Sequence, residues 1–437
     1  MAACRRVHLN PLSLLNRPPR LNTKGRRTSF INFSSSAKKH ATMSTAFSIQ
    51  PIQRFVGQSE AVKRPKEFAY FSYDEEHKFR LDDSSLKWYY PPTLGVDLSS
   101  GFEDFKNHDD SADEHLDGLL KTIANHEKET GKPIDAHVVT WRGMMTKIMA
   151  APFDDRDGFE MNATLYRDCI FIEENHAWKQ HQKKAQSTQK WTSPIPQEVM
   201  TFWGYKFEAL STLPRPWGQT SRQFIESRPA QPVNNAAQYC SVVRTGFGPT
   251  TLCLGGEVDC LWDGTKPPTP GAPIGWVELK TSADVRSDRD AVNFERKLLK
   301  YWVQSFLLGV PRIVVGFRSR DGVLVRVEEI DTAGIPARVK GGRQRPLWDG
   351  DVCINFASAF LEWLRGAITD EGVWRIRRRS GAAEIEVFQV EEVGHGEIVS
   401  DEFMNHRIKL EMKARQQSSG EAETAELEAQ PSAAAGV

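Results

Sequence analysis

Two short strings pair an acidic residue with a second charged residue two positions away. They are Glu257-Val258-Asp259 and Glu278-Leu279-Lys280. In a β-strand, residues i and i+2 lie on the same face, so each string would present both of its charged groups together. Two adjacent carboxylates repel each other, and a buried pair therefore needs a cation or a raised pKa. If the two strands are neighbours, three carboxylates and one ammonium group would meet on one face of a sheet.

The ligands that this cluster offers are all oxygens, which suits a hard ion such as Mg²⁺ or Mn²⁺ better than Zn²⁺. The lysine would stabilise developing negative charge or help to orient an attacking water. An acid on one strand followed by Glu-x-Lys on the next is the pattern of PD-(D/E)xK nucleases, although short strings of this kind are common. The alternative is two amphipathic surface strands whose charges are solvated.

A further acid, Glu208, lies in the predicted helix 197–212, one turn after Gly204. Residues four apart share a helix face, and a glycine there lets a neighbour approach closely. Trp203 and Phe207 are predicted to face the core. This pattern favours Glu208 as a fourth carboxylate of the cluster, and the alternative is close packing with Glu208 at the surface.

Arg142 and Gln304 are the remaining candidates from residue type and position. Arg142 lies in a second predicted helix, 139–150, and its planar guanidinium suits phosphate, although a surface or salt-bridged role is more common. Gln304 lies in the predicted helix 293–308. It shares a stripe with Lys297, Lys300 and Tyr301. That stripe is either a solvated face or the wall of a phosphate-binding cleft.

The order of the predicted elements indicates one α+β domain with a central sheet. Further helices are predicted at 113–129 and 354–366. The predicted strands are 251–261, 275–281, 312–318, 323–329 and 384–391. Ser319 to Gly322 forms a turn signal between two of these strands and predicts a hairpin.

Composition excludes several classes of protein. The 437 residues are 39% hydrophobic and 26% charged with a formal net charge of zero, which argues against the basic footprint of a protein that coats nucleic acid. No apolar stretch approaches the roughly 18 residues of a membrane span, so no membrane association is expected. The six cysteines and eleven histidines show no ligand spacing along the chain, which argues against a zinc-binding or disulfide framework. A protein of a reducing compartment is therefore favoured.

The two ends differ from the predicted domain at 43–397. Residues 1–42 are basic, rich in Ser and Arg, and typical of a mitochondrial transit peptide. The interpretation we prefer is that they precede a true start at Met43, and they are predicted to be disordered or not translated. Residues 398–437 carry a tail of Ala, Glu, Gln and Ser that is predicted to be mostly disordered.

Five strings in consistent order give a more specific indication. They are TWRG (140–143), GYKFE (204–208), GEVDC (256–260), VELKTS (277–282) and KYWVQSFLLGVPRIVVGFR (300–318). They closely resemble the DXO family of eukaryotic RNA 5′-end decapping enzymes, and the likeness runs from about Met43 to Glu392. Within that family the chain is most similar to fungal nuclear members that partner a nuclear 5′→3′ exoribonuclease.

The resemblance implies a PD-(D/E)xK-like core of two mixed β-sheets flanked by helices in a single domain. It implies a divalent metal, Mg²⁺ or Mn²⁺, and a catalytic set of Glu208, Glu257, Asp259, Glu278 and Lys280. The implied metal ligands are Glu208, Asp259, Glu278, the backbone carbonyl of Leu279, and Glu257 directly or through water. The implied substrate contacts are Glu114, Trp141, Arg142, Gly143, Cys240, Glu257, Lys280 and Gln304.

The activities that the resemblance implies all leave a 5′-monophosphate on the RNA. They are release of pyrophosphate from a 5′ triphosphate, removal of incompletely methylated caps, and removal of the NAD moiety from NAD-capped RNA. Arg318–Lys340 resembles the region of fungal members that docks the exonuclease, or is an ordinary edge hairpin. The expected location is the nucleus, or the mitochondrion if the leader is translated. The rival functions are a non-catalytic stabilising subunit and a DNA endonuclease.

Overall fold

The computed structural model describes residues 45–188, 191, 193–269, 271–342 and 344–428, with side chains described to residue 417. Two mixed β-sheets organise this part of the chain. The predicted leader at 1–42 lies outside the described residues. None of the helices in the described part is long and apolar enough to cross a membrane.

The larger sheet has ten strands, and its neighbours run both parallel and antiparallel. Its order is β1 (Thr45–Ser48), β16 (Glu384–Glu391), β15 (Val373–Arg378), β6 (Phe159–Tyr166), β7 (Cys169–Glu174), β5 (Val138–Trp141), β10 (Thr250–Glu257), β9 (Gln238–Phe247), β2 (Val62–Tyr73) and β3 (Phe79–Arg80).

The smaller sheet has six strands. Its order is β14 (Leu324–Asp331), β13 (Arg312–Arg318), β12 (Trp276–Ala283), β11 (Cys260–Leu261), β4 (Trp88–Tyr89) and β8 (Thr212–Leu213). The predicted hairpin is confirmed, because β13 and β14 pair antiparallel around a turn in which Gly322 has a φ of 91°.

The helices surround and separate the sheets. They are α1 (Asp117–Thr130), α2 (Arg142–Ala150), α3 (His176–Ser187), α4 (Gln197–Leu210), α5 (Arg222–Ser227), α6 (Asp288–Leu308), α7 (Ile335–Gly342), α8 (Gly350–Ala367) and α9 (Asp401–Glu428). The largest hydrophobic cluster joins α2, α6 and α8 to both sheets, a second joins α1 and α9 to the larger sheet, and a third joins α4 to the smaller sheet.

The predicted single strand 251–261 is wrong in one respect that matters for the site. The chain leaves the larger sheet after Glu257 at the end of β10 and enters the smaller sheet at Cys260 in β11. Asp259 therefore lies in the connection, and it does not share a strand face with Glu257. Val258 in this connection is buried in the largest hydrophobic cluster, with 2% exposure.

Other predicted elements also need correction in their boundaries. The predicted helix 139–150 begins with the strand β5, and only Arg142–Ala150 is helical. The β-branched pair Val138 and Val139 pairs in parallel with β10 and β7, so tertiary pairing overrides the helical period there. The helix predicted at 293–308 begins earlier, at Asp288, because the Ser287 side chain accepts a hydrogen bond from the Asp290 amide.

Within the segment 398–437, which is predicted to be mostly disordered, the first part of α9 packs against the domain. Phe403 and Leu410 are buried against the core, at 2% and 8% exposure. His406 and Arg407 both bind the buried Glu127 carboxylate of α1. The spacing of these four positions, three and four residues apart, places them on one helical face. The polar composition of the rest of the tail obscured that period in the sequence.

Replacing Gly316 by alanine is expected to destabilise the fold by about 1–3 kcal/mol, because overpacking a filled core displaces its neighbours. A Cβ at this position of β13 would lie 2.6 Å from Cδ2 of Phe207, which precedes Glu208 on α4. Denaturant unfolding would measure the loss.

The matched control is Gly366→Ala on α8, where an added Cβ has no neighbour within 4 Å. Alanine there is expected to be neutral or stabilising by up to about 1 kcal/mol, because it lowers the backbone entropy of the unfolded chain relative to glycine. Equal stability of the two variants would contradict the close packing of Phe207 on Gly316.

Candidate active site

Glu278 lies at the centre of the site between two cations. Its side chain is 1% exposed, and it accepts hydrogen bonds from Arg142 Nη1 at 3.0 Å and from Lys280 Nζ at 2.6 Å. Burial alone would raise the pKa of Glu278, but the charges of Arg142 and Lys280 outweigh burial and lower it. The Glu278 carboxylate is therefore ionised at neutral pH.

The alternation along β12 follows the sequence prediction. Val277 and Leu279 pack into the cluster beneath α4, and Glu278 and Lys280 point to the opposite face. Burial lowers the pKa of the Lys280 ammonium, whereas Glu278 and Asp259 raise it, and the net shift is upward. Lys280 therefore remains a cation rather than a base.

Asp259 is held at the edge of β12 by the backbone of Leu279. The Leu279 amide donates a hydrogen bond to Asp259 Oδ2 at 2.5 Å. The N–H and C=O of one strand residue point to the same side, so the Leu279 carbonyl also faces the edge occupied by Asp259. This places the backbone oxygen that the family resemblance implied as a metal ligand beside the acidic cluster.

Glu208 and Glu257 complete the acidic cluster. Burial raises the pKa of Glu208 well above its ordinary value, and the charges of Asp259 and Glu257 raise it further. Burial also raises the pKa of Glu257, although Lys87 and Arg142 act in the opposite direction. Mutual repulsion of this kind is relieved by a cation among the carboxylates.

The donor set fits a hard divalent cation by its chemistry. Carboxylates and one backbone carbonyl are the oxygen ligands that Mg²⁺ and Mn²⁺ prefer. The site would hold the ion with Glu208, Glu257, Asp259, Glu278 and the Leu279 carbonyl. In the described part of the chain, no three of these carboxylates bring their oxygens within 4.8 Å of one another, because Asp259 is turned to the Leu279 amide and Glu278 to its two cations.

The stripe of α6 that contains Gln304 faces the site. Lys297 donates to Ser282 Oγ, and the Tyr301 hydroxyl donates to the Thr281 carbonyl, both on β12. At the other end of the stripe, a Cβ added at Gly256 would meet the Leu308 side chain. Gln304 lies between these contacts along α6, on the side of the helix that faces β12 and the end of β10.

Lys300 belongs to the same predicted stripe but does not face the acidic cluster. It forms ion pairs with Asp154 at 2.7 Å and Asp157 at 2.6 Å. Lys297 and Lys300 both line one cavity, so the stripe combines contacts to β12 with a salt-bridged end, and its role in phosphate binding stays a prediction.

Trp141, Gly143 and Cys240 lie around Arg142. The Trp141 indole donates to the His115 carbonyl at 3.1 Å, and a Cβ at Gly143 would meet nothing within 4 Å. Cys240 on β9 is paired directly with Glu257 on β10. The prediction that Gly204 lets a neighbour approach closely is wrong, since a Cβ there would also meet open space.

Glu114 is the implied substrate contact that lies apart from the acidic cluster. Its carboxylate is 3.1 Å from His77 Nε2 and 3.5 Å from His108 Nε2. It lines a cavity of about 320 Å³ together with Trp141. A larger cavity of about 1060 Å³ is lined by Ser282 and Lys297.

Lys87 is a candidate that the sequence did not indicate. Its charge lowers the pKa of both Glu208 and Glu257, and its backbone carbonyl accepts from Leu261 in β11. Lys87 directly precedes the two-residue strand β4, in a stretch that mixes polar, apolar and aromatic residues. No motif or period marks it, and only the pairing of β4 with β11 brings it to the site.

The affinity of the site for Mn²⁺ is expected to rise with pH up to about 7. Burial and the Glu278 charge raise the pKa of Asp259 to about 7, so below that pH a metal must displace a proton. Each proton that the metal displaces weakens binding about tenfold for each pH unit below the pKa of that carboxyl. Calorimetric titration with Mn²⁺ at pH 6, 7 and 8 would measure this, and equal affinity at pH 6 and 8 would contradict it.

The same shift makes metal-dependent stabilisation larger at high pH. A raised folded-state pKa stabilises the metal-free chain below the unfolded value of about 4, and this contribution is lost as the pH rises through about 7. The increase in melting temperature on adding Mn²⁺ should therefore be larger at pH 8 than at pH 6.

The fold and the site together define a PD-(D/E)XK nuclease, with an acid beside a central strand and Glu-x-Lys on that strand. The family model described as RAI1 like PD-(D/E)XK nuclease matches residues 63–404. The chain belongs to this family, which confirms the fold that the sequence predicted.

Relatives and solved structures agree with this assignment. The chain is 67% identical over 398 residues to "Decapping nuclease RAI1" of Neurospora crassa, covering 91% of this chain and 96% of the relative. The structure is similar to Candida albicans Rai1 in complex with pU5-Mn²⁺ (TM-score 0.76, 30% identity, covering 84% of this chain and 100% of that chain). It is also similar to Scheffersomyces stipitis Rai1 in complex with (3′-NADP)⁺ and calcium ion (TM-score 0.75, 30% identity, with the same coverage).

Proposed function

We propose that this chain is a divalent-metal-dependent hydrolase of RNA 5′ ends that attacks the bond joining the α-phosphate of the first nucleotide to the group before it. The products are pyrophosphate from 5′-triphosphate RNA, the whole incompletely methylated cap, or the NAD moiety, and in each case 5′-monophosphate RNA. The observation that carries the proposal is the buried Glu278 carboxylate held between Arg142 and Lys280 beside three further, half-buried acids. Membership of the family and the similarity to relatives named decapping nucleases support this proposal.

The residues have separable roles in this reaction. A bound divalent ion supplies Lewis-acid activation of the phosphate and of the attacking water. Arg142 is a planar donor placed to hold phosphate oxygens, and Lys280 is a fixed cation placed where negative charge develops. Gln304 adds an uncharged donor from α6. The open space at Gly143 and Gly204 leaves room for the substrate beside these groups.

NAD-capped RNA is a substrate by the same logic. The Scheffersomyces stipitis relative was crystallised with (3′-NADP)⁺, whose pyrophosphate joins two nucleosides as in an NAD cap. A site that recognises the first nucleotide and its α-phosphate can accept different groups beyond the scissile bond. The cavity lined by Lys297 and the cavity lined by Trp141 offer that room.

The test uses the purified full chain with Mg²⁺ or Mn²⁺ and three short RNAs that carry a 5′ triphosphate, an unmethylated cap or NAD. Mass spectrometry of the released group would identify the bond that is cut. Pyrophosphate, a cap dinucleotide or intact NAD is the expected product. A folded protein that yields none of these would overturn the proposal, and cleavage of duplex DNA without preference for RNA 5′ ends would favour the DNA endonuclease instead.

We further propose that the chain docks a 5′→3′ exoribonuclease through Arg318–Lys340. This range contains β14, which is the edge strand of the smaller sheet, and α7 beside it. An edge strand presents unpaired backbone groups to which another chain can bind. Stimulation of a purified exoribonuclease that persists in Asp259→Ala, while RNA hydrolysis is lost, would separate docking from catalysis. No stimulation by the wild-type chain would contradict docking.

A nuclear location follows from the proposed partner. Proteins tagged at the C-terminus and beginning at Met1 or at Met43 would be compared in cells. The expected result is a nuclear signal from the protein beginning at Met43. Mitochondrial import of the protein beginning at Met1 would instead assign the leader as a transit peptide.

A further inference from the structure

Two histidines and a glutamate from three separate segments meet outside the acidic cluster. In the described part of the chain, His77, His108 and Glu114 are the only three His, Cys, Asp or Glu residues whose ligand atoms all lie within 4.8 Å of one another. Their positions, 31 and 6 residues apart, give no signal of ligand spacing along the sequence. The histidines show no ligand spacing along the chain, and only the fold brings these two together with Glu114.

The geometry of this set is built by its surroundings. His77 Nδ1 lies 2.8 Å from the Ala236 carbonyl, which fixes the proton on Nδ1 and leaves Nε2 to face Glu114. A metal-bound histidine is commonly oriented by this kind of hydrogen bond. The His77 backbone has a φ of 59°, which is uncommon for a residue other than glycine and is held by a turn in which its amide donates to the Asp74 carbonyl.

His108 is positioned as firmly as His77. Its amide donates to Asn235 Oδ1 at 2.6 Å, and its ring stacks on the His77 ring with centroids 3.7 Å apart. The His108 side chain is 24% exposed, the His77 side chain is 11% exposed, and the Glu114 side chain is 48% exposed. The set is therefore nearly enclosed on the histidine side and open to solvent on the carboxylate side.

We propose that His77, His108 and Glu114 form a second metal site, selective for a borderline-soft transition ion such as Zn²⁺. Two imidazole nitrogens and one carboxylate oxygen are a common ligand set for Zn²⁺, with water in the fourth position. The set differs in kind from the all-oxygen acidic cluster, so the two sites would take different ions. The alternative is a simple ion pair without metal. In that case the single charge of Glu114 would have to neutralise two stacked imidazolium cations.

The site would join three segments that no strand pairing connects directly. His77 lies in the turn between β2 and β3, His108 lies in the loop after Phe105, and Glu114 lies just before α1. These segments border the cavity of about 320 Å³ that also contains Trp141. A bound ion would therefore stiffen one wall of the cleft beside the catalytic centre.

The experiment measures Zn²⁺ bound to the full chain in the presence of excess Mg²⁺, by calorimetry and by metal analysis after gel filtration. The wild type is expected to hold one more equivalent of Zn²⁺ than His108→Ala or Glu114→Gln. Affinity for that equivalent should fall at least about tenfold in each variant, since even the loss of an outer hydrogen-bond partner costs that much. Zn²⁺ should raise the melting temperature of the wild type more than that of either variant.

His181→Ala is the matched control, because His181 is exposed on α3 and lies outside the ligand set. It should bind Zn²⁺ as the wild type does. Glu114→Gln changes only a half-exposed carboxylate and so keeps the test valid if His108→Ala fails to fold. Equal Zn²⁺ stoichiometry and affinity in the wild type and in folded Glu114→Gln would overturn the proposal.

Discussion

Glu278→Gln is expected to lower the rate of RNA 5′-end hydrolysis by about 10³-fold, which corresponds to roughly 4 kcal/mol of transition-state stabilisation. Glutamine keeps the shape of the side chain but removes the charge that lies between Arg142 and Lys280. The neutral amide is also a poor ligand for a hard cation. The variant therefore loses metal affinity and leaves two cations at the substrate phosphate without their shared partner.

The fold should survive this change. Asp259 and Glu257 lie close enough to influence the pKa of Arg142 and remain to offset its charge. Melting temperature and near-ultraviolet circular dichroism would confirm that the variant is folded. The rate would be measured on 5′-triphosphate RNA at several Mn²⁺ concentrations, because a loss of affinity alone would be recovered at high Mn²⁺.

The matched control is Glu362→Gln, which changes an exposed carboxylate on α8. It should hydrolyse RNA at the wild-type rate. If Glu278→Gln also kept the wild-type rate at every Mn²⁺ concentration, the acidic cluster would not be the catalytic centre.

Glu127→Ala is expected to lower the free energy of unfolding by about 3–5 kcal/mol, the typical loss when one partner of a buried ion pair is removed. The Glu127 side chain is fully buried on α1, and its carboxylate lies 2.6 Å from Arg407 Nη2 and 3.0 Å from His406 Nε2, both on α9. It also accepts a hydrogen bond from the Ile134 amide. Removing it leaves a buried guanidinium without a counter-charge.

The consequence should be detachment of α9 before the rest of the domain unfolds. Phe403 and Leu410 would then leave the core, and limited proteolysis should cut the chain after residue 397 faster than in the wild type. Denaturant unfolding would measure the stability. Glu129→Ala is the control on the same helix, where the residue is exposed, and its effect should stay within about 0.5 kcal/mol. The same small effect for Glu127→Ala would show that α9 does not depend on this ion pair.

Local patterns predicted the side-chain directions along β12 and α4. Period-2 alternation placed Glu278 and Lys280 on the face opposite Val277 and Leu279, and the period of α4 placed Trp203 and Phe207 in the core. These predictions succeed because side-chain direction in a strand or helix depends only on position along the element. The five family strings then indicated the fold that the structure and the family match confirm.

Tertiary structure decided what local periodicity does not encode. Glu257 lies at the end of β10 and Asp259 lies in the connection to β11, and both meet the same centre because the chain crosses from one sheet to the other at buried Val258. Lys87 reaches the site only through the pairing of β4 with β11, and Gln304 through the packing of α6 between the sheets.

The same reason explains the C-terminal helix and the histidine set. Burial and contacts between distant segments bring Glu127 to Arg407 and His77 to His108. The free energy of these contacts depends on chain topology, because loop closure and the burial of apolar surface join segments that carry no common local signal. Residue type along the chain therefore determined which chemistry was available, and the packing of the two sheets determined which residues share a site.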